Sequence, residues 1–348
     1  GRTGAGVKGI TIDGDDEVVG MICVEKNRKE DILVVSEHGY GKRTDLDDYR
    51  ITNRGGKGVK AMATREEDYV ETVFTASTHD SILFFTNLGK VYVRKGYRIP
   101  EAGRSARGQN IVNIIPTDPG EKVSAMIAGR GVTEDNYLVF VTRNGTVKRT
   151  AQSAFKNIRS NGIRALSLDE GDELISVLQT TGEDKILLAT HDGMAICFAE
   201  TDARAMGRDA GGVRGIRLRE GDYVVGAGIA AEGAAILSIT ENGYGKRTDV
   251  GEYSVQNRGG MGLKNYNVTD KTGPVADVVI VTGDEDLLVI SDDGTIIRMD
   301  VGSISLLSRS TQGVRVMRLT GDAKVISIAP TDKEDSAEAD SPEAREES

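Results

Sequence analysis

The chain has no tryptophan and only six phenylalanines among its 348 residues, so a core built mainly on aromatic packing is excluded. Its two cysteines, Cys23 and Cys197, are far apart and form no Cys-x-x-Cys spacing. A disulfide framework and a thiolate metal site are thereby excluded, and two buried thiols in a reducing compartment fit best. The three histidines are isolated: His38 and His191 fall in turns, and His79 just precedes an apolar run. No stretch approaches 18 uncharged apolar residues, so no membrane-spanning helix is expected. The first residues lack the charged-then-apolar pattern of an export signal. Phosphate-loop, His-Glu-x-x-His and Gly-x-Ser-x-Gly sequences are all missing, which removes the usual sequence signs of NTP hydrolysis, zinc proteolysis and acyl transfer. Asp13-Gly14-Asp15-Asp16 fits no Ca²⁺ loop, and Gly39-Tyr40-Gly41 and Gly243-Tyr244-Gly245 read as turns, not nucleotide loops.

Glycine, by contrast, is abundant at 43 residues, and it is periodic. A turn glycine recurs at Gly39, Gly89, Gly145, Gly193, Gly243 and Gly294, spaced by 50, 56, 48, 50 and 51 residues. After each comes an Arg followed by a second Gly: Arg54–Gly58, Arg104–Gly108, Arg159–Gly162, Arg208–Gly212, Arg258–Gly262 and Arg309–Gly313. A fixed period of this size means stacked or radial repeats. Six repeats are read at about 30–79, 80–134, 135–183, 184–233, 234–284 and 285–330, with a partial one at 1–24 that matches only a back half.

Each repeat opens with an apolar run, such as Tyr137-Leu138-Val139-Phe140, then a turn ending in Gly, such as Arg143-Asn144-Gly145. Asn-Gly and Asp-Gly between apolar runs predict hairpins in which both turn residues have positive φ. A returning strand follows, then the Arg…Gly loop, a short strand such as Val213-Arg214, an acidic-Gly turn such as Glu220-Gly221-Asp222, and a last apolar strand. Four strands per repeat predict an all-β, propeller-type domain over residues 1–330, one blade per repeat.

The net charge of −10 is uneven: residues 332–348 carry eight acids and two bases, leaving only −4 for the rest. A disordered acidic tail is expected at 331–348. The returning strands carry Lys42-Arg43, Arg94-Lys95, Lys148-Arg149, Lys246-Arg247 and Arg298, taken as one position in five repeats, with Ala195-Ile196-Cys197 in the fourth. Period-two alternation predicts that the basic members point outward. With the Arg…Gly loops they would form a charged belt that contacts phosphates without reading bases. Salt bridging between the belt and the acidic turns of neighbouring blades is the competing reading. The loop Arg54-Gly55-Gly56-Lys57-Gly58 combines exposed backbone amides with two cations, a composition suited to cradling an anion.

These residues resemble the C-terminal domain of the DNA gyrase A subunit. The resemblance rests on Gly-Tyr-Gly-Lys-Arg-Thr (39–44 and 243–248), the Arg-Gly-Gly loop, Phe74–Asp80, Asn144–Arg149 and Gly212–Leu218, and it spans residues 1–330. It implies a six-bladed β-pinwheel whose basic rim wraps double-stranded DNA with positive handedness, presenting the adjoining segment for ATP-dependent negative supercoiling. It further implies partnership with the rest of the gyrase A subunit and with the gyrase B subunit, and a cytoplasmic, nucleoid-associated location. ATP and Mg are implied for those other parts of the topoisomerase and no cofactor for this domain, which would be monomeric alone, off the membrane and without catalytic residues. The family's box reads Gln, Arg or Lys, Arg, Gly, Gly, Arg or Lys, Gly; Thr52–Gly58 and Gln256–Gly262 each match it at five of seven positions, and either could serve. The implied DNA-binding residues are Arg54, Gly55, Gly56, Lys57 and Gly58, the strand cations Lys42, Arg43, Arg94, Lys95, Lys148, Arg149, Lys246, Arg247 and Arg298, and the loop arginines Arg104, Arg208, Arg258 and Arg309. With about ten phosphate contacts, log affinity should fall with log salt at a slope of roughly −9. The paralogous topoisomerase IV domain, which bends DNA without strong wrapping, and a propeller scaffold that binds proteins are the alternatives.

Overall fold

The computed structural model describes residues 31–36, 40–45, 70–76, 78–101, 109–110, 114–128, 136–291, 296–319 and 323–332. The partial repeat at 1–24, the loop 52–58, Arg104 and positions 333–348 lie outside them. The first repeat gives β1 (Asp31–Ser36), β2 (Tyr40–Asp45) and β3 (Val70–Ala76), and the second gives β4 (Ser81–Thr86), β5 (Lys90–Lys95), β6 (Gln109–Asn110) and β7 (Val123–Ala128). The third gives β8 (Tyr137–Thr142), β9 (Thr146–Ala151), β10 (Ile163–Arg164) and β11 (Leu174–Thr180). The fourth gives β12 (Lys185–Thr190), β13 (Met194–Ala199), β14 (Val213–Arg214) and β15 (Val224–Ile229). The fifth gives β16 (Ala235–Thr240), β17 (Tyr244–Asp249), β18 (Leu263–Lys264) and β19 (Val275–Val281), and the sixth β20 (Glu285–Ser291), β21 (Ile296–Asp300), β22 (Val314–Arg315) and β23 (Val325–Asp332).

These strands make six antiparallel sheets, with orders β3-β1-β2-β6, β7-β4-β5-β10, β11-β8-β9-β14, β15-β12-β13-β18, β19-β16-β17-β22 and β23-β20-β21. The all-β, four-stranded blade is therefore the architecture, but the fourth strand is not where one blade per repeat puts it. Each two-residue strand pairs with the returning strand of the preceding repeat: β10 with β5, β14 with β9, β18 with β13 and β22 with β17. Among the described residues, the second to sixth repeats thus each reach back and complete the preceding blade, β6 pairing with β2 in the same way. β23 runs to Asp332, opposite Glu285, two residues into the stretch expected as tail.

In the four described Arg…Gly elements, the second glycine enforces this swap. Gly162, Gly212, Gly262 and Gly313 all have positive φ, +70° to +96°. A Cβ at Gly212 would stand 2.6 Å from Val147 O, and one at Gly313 2.6 Å from Gly245 O. Only a residue without a side chain lets the loop backbone lie this close to the neighbour's strand.

The hairpins form where expected but by a different turn. No residue other than Gly has positive φ among the described residues, so the expectation for Asn144 fails. Gly145 N donates to Thr142 O at 3.0 Å with φ +80°, while Thr146 N donates to Thr142 Oγ1 at 3.1 Å. This is a three-residue turn closed by a left-handed Gly, a bulge in which one positive φ suffices. Thr86, Thr190 and Thr240 do the same in their repeats. Carboxylates from the acidic turns cap these hairpins: Asp172 Oδ1 accepts from Asn144 N, and Asp222 Oδ1 from Asp192 N, both at 2.9 Å.

The core lies between blades. Leu187, Ala195 and Cys197 of one blade pack on Ile236, Tyr253 and Tyr266 of the next, all essentially buried. Phe85, Phe140 and Phe155 meet edge-on or tilted with centroids 5.5–6.1 Å apart. Each such side chain contributes about 1.5–3 kcal/mol by leaving water.

Candidate nucleic-acid interface

The swap places a cation at the second position of four of the five short strands, Arg164, Arg214, Lys264 and Arg315, all exposed and spaced by 50, 50 and 51 residues; β6 has Asn110 there. They flank the Arg…Gly loops. The Arg258 guanidinium donates to Arg214 O, and Arg309 Nη1 to Lys264 O at 3.2 Å. A loop arginine of one repeat therefore braces the strand cation of the preceding one. Arg159 is exposed; Arg208, Arg258 and Arg309 are half-buried. At the junction of the second and third blades, Arg159, Arg164 and Arg208 line an open groove with Asn157, Asn161 and Asp209. Three arginines against the single acid Asp209 give this concavity a net positive lining that suits a phosphate.

The four strand cations were not among the expected site residues. Their signal was in the sequence as the same fifty-residue spacing, but a lone Arg in a two-residue strand reads as an ordinary solvated position until the swap brings it beside the loop.

The returning-strand cations point elsewhere than expected. Lys42, Lys148 and Lys246 are fully buried, and Arg149 retains 9% exposure. Lys148 Nζ donates to the carbonyls of Ala165, Gly207 (3.3 Å) and Arg208. Lys246 Nζ donates to Ser308 O at 2.6 Å and Arg309 O at 2.7 Å. Burial pulls both amines down to about 8, opposed by Asp209 at Lys148 and by Glu252 at Lys246. Period-two alternation presumes that one face of the strand meets water. Here the face that carries Lys148 packs on the preceding blade beside Phe140, and the loop of the following repeat runs along the strand's edge, with Met206 N on Arg149 O and Leu307 N on Arg247 O, both 2.8 Å.

The arginines of these strands also brace backbone. Arg247 donates to Ile304 O (2.9 Å) and Gly302 O (3.1 Å). Arg43 pairs with Glu101 at 3.0 Å and donates to Ile99 O. Arg149 lies 3.7 Å from the buried Glu200 and 4.5 Å over the Tyr137 ring. The expected register also shifts in one repeat: Arg94 stands opposite Ile82, whereas Lys148 stands opposite Phe140, so Tyr92, opposite Phe84, holds the lysine's position. Arg94 donates to Ile114 O, Val93 O and Ser160 O, and burial, aided by Arg98, lowers its pKa. Lys95 is exposed, its amine 3.4 Å from His79 O. Arg298 stands opposite Leu288 in β21.

Of the two box-like loops, 256–262 is described and Arg54–Gly58 is not. It spans two blades: Gln256 N donates to Cys197 O, and Gly259 N to Gly215 O at 2.7 Å. His191, Asp192 and Asp222 bring ligand-type atoms within 4.8 Å of one another. The Asp222 carboxylate is committed to the amides of Asp192 and Tyr223, and the His191 ring stacks on Tyr223 at 4.5 Å between Asp192 and Glu241. These groups tie hairpin turns together.

A family model described as the DNA gyrase C-terminal domain, beta-propeller, matches residues 1–25, 30–77, 80–129, 136–181, 184–231, 235–282 and 285–332. The chain is 47% identical over 310 residues to the A subunit of DNA gyrase from Staphylococcus aureus (strain MRSA252), covering 88% of this chain and 35% of that protein. It spans about a third of the length of the curated relatives it matches. Among solved structures, the C-terminal domain of DNA topoisomerase IV superposes with TM-score 0.73 at 27% identity, covering 87% of this chain and 94% of that one. The DNA gyrase A C-terminal domain superposes with TM-score 0.71 at 26% identity, covering 87% and 100%.

Proposed function

The chain belongs to the DNA gyrase C-terminal domain family, and from that premise we propose that it binds duplex DNA without sequence preference and wraps it along the blade rims. The observation that carries the reading is the row Arg164, Arg214, Lys264 and Arg315, one exposed cation on each of four successive blades, the first three beside a loop arginine. Point charges repeated at successive angles on a ring neutralise phosphates along a bent duplex and leave the bases unread. Wrapping presents the adjoining DNA to the catalytic parts of the gyrase A and B subunits, which supply ATP-driven strand passage and hence negative supercoiling in the bacterial cytoplasm. The domain's own part is accessory: it holds DNA and does not cut it.

The eight rim cations (Arg159, Arg164, Arg208, Arg214, Arg258, Lys264, Arg309 and Arg315) predict a log affinity–log salt slope of about −7 on a long duplex. Replacing the four strand cations by Gln should reduce its magnitude by about 0.9 each. A wild-type slope near zero, or no change in the fourfold variant, refutes the reading. The resemblance to the topoisomerase IV domain supports a second reading, binding without strong wrapping. Nicked circles religated with the domain bound separate the two: a positive linking-number change favours wrapping, and no change favours the second.

A further inference from the structure

We infer that Lys148 and Lys246 are positioning residues for the phosphate-binding rim: each buried ammonium gathers the carbonyls of an Arg…Gly loop and thereby holds the loop's guanidinium at the surface, without touching DNA itself. The inference rests on the DNA-binding reading above.

Lys148 begins on β9 in the third blade, and its amine meets chain from its own repeat and from the following one. Gly207 O and Arg208 O belong to the loop laid over its own strand. Ala165 O follows Arg164 directly, at the end of the strand that completes the second blade. One ammonium therefore pins the backbone beside Arg164 and beside Arg208, two of the three guanidiniums lining the groove. Lys246 repeats the arrangement at Ser308 and Arg309, with the Tyr266 ring 5.2 Å away and Tyr266 Oη donating to Gln312 O in the same loop. An ammonium suits this place because it carries three donors and no acceptor, and it serves Arg208 O and Arg309 O besides Gly207 O and Ser308 O, which also accept from Ala210 N and Thr311 N within their loops. With those carbonyls turned inward, Arg208 lines the open groove, while Arg309 lies along the surface with Nη1 on Lys264 O and Nε 3.9 Å from Glu252. The register shows where the device is used: Lys42, Lys148 and Lys246 hold this position in the first, third and fifth blades, and Tyr92, Ile196 and Ile297 in the others. Arg258, whose loop lies over Ile196, donates to Arg214 O and Asp202 O, and Arg309 makes the equivalent bond to Lys264 O in addition to the lysine beneath its loop.

Lysine footprinting of the unmodified protein tests this without a variant. An acetylating reagent with peptide mapping, applied with and without a long duplex, should label Lys264 in the free protein and spare it in the complex. Lys148 and Lys246 should resist labelling in both states. Labelling of either in the free protein with protection by DNA would make it a phosphate contact and overturn the inference. Lys148→Met with Lys246→Met gives the second reading. Amide exchange in peptides covering Arg208 and Arg309 should speed at least tenfold, and DNA affinity should fall about tenfold with the salt slope held, because the guanidiniums remain but must be ordered on binding. A slope smaller by about 1.8 with loop exchange unchanged refutes positioning. Loop exchange is read without DNA, so a protein that fails to bind any duplex would sink the function while leaving this inference decidable.

Discussion

Gly162 and Gly171 share a φ of +77° within one repeat, yet they have opposite surroundings, and that contrast measures what the strand swap requires. A Cβ at Gly171 would meet nothing within 4 Å; at Gly162 it would stand 2.6 Å from Cε1 and 2.7 Å from Cδ1 of Tyr92. The Tyr92 ring cannot retreat, since it is wholly buried and its hydroxyl donates to Glu121 at 2.9 Å. Alanine incurs the left-handed backbone penalty at both sites, roughly 1 kcal/mol. At Gly162 it adds an overlap of overpacking type, about 1–3 kcal/mol more. Gly171→Ala should therefore cost about 1 kcal/mol and Gly162→Ala about 2–4 kcal/mol. With no tryptophan as a reporter, the global reading is the urea midpoint by far-ultraviolet circular dichroism. Because repeat arrays can loosen one interface at a time, the local reading is amide exchange at Ile163 and Arg164 of β10. A local loss of about 3 kcal/mol corresponds to exchange faster by roughly a hundredfold in Gly162→Ala, against about fivefold for the 1 kcal/mol of Gly171→Ala. Equal costs in the two variants would show that backbone strain alone, and not close approach to the neighbouring blade, selects glycine here.

Glu200 is buried and accepts from Gly182 N and Asp184 N at 2.8 Å and from Thr180 Oγ1 at 2.7 Å, beside Arg149. Glu200→Gln keeps the shape, turns one acceptor into a donor and strips Arg149 of its counter-charge, so the melting temperature should fall by the equivalent of about 2 kcal/mol; an unchanged melt refutes this. Burial raises the pKa of the Cys197 thiol against the pull of Lys185, so iodoacetamide should label the Cys197 peptide only at the rate of unfolding, and rapid labelling in native buffer would refute its burial. Lys148 faces Asp209 and Arg208, and Lys246 faces Glu252 and Arg309, and both amines are held at about 8, below their unfolded value. From about pH 8 upward the unfolded chain then binds more protons than the folded one, so stability rises with pH. Between pH 7.5 and 9.5 the urea midpoint should gain about 1 kcal/mol per lysine over the Lys148→Met, Lys246→Met protein; parallel pH profiles would refute it.

What could be read from the residues, and what could not, divides along a physical line. The hairpins were legible because the apolar runs and their turn glycines are local, and Tyr137–Thr142 turning at Gly145 into Thr146–Ala151 needs no distant partner to be recognised. The home of Val213-Arg214 was not legible: a two-residue strand is too short to carry alternation, and its sheet is chosen by Gly212 fitting against Val147 O some 65 positions back. The orientation of the basic strands failed for the same cause. Lys148 shares a face with Phe140, and the packing of that face on the preceding blade, together with the returning loop from the next repeat, makes its position an interior one. One swap thus moves charge in both directions, burying the lysines that the pattern placed outside and setting Arg164, Arg214, Lys264 and Arg315 on the rim. The two groups depend on each other. A loop lying across a neighbour's strand turns carbonyls inward, and a buried ammonium there donates to them while the loop's arginine stays at the surface. The repeated Gly and the repeated Lys are therefore parts of one device: the first brings the loop close enough to cover the strand, and the second gives Arg208 O and Arg309 O a donor in the interior.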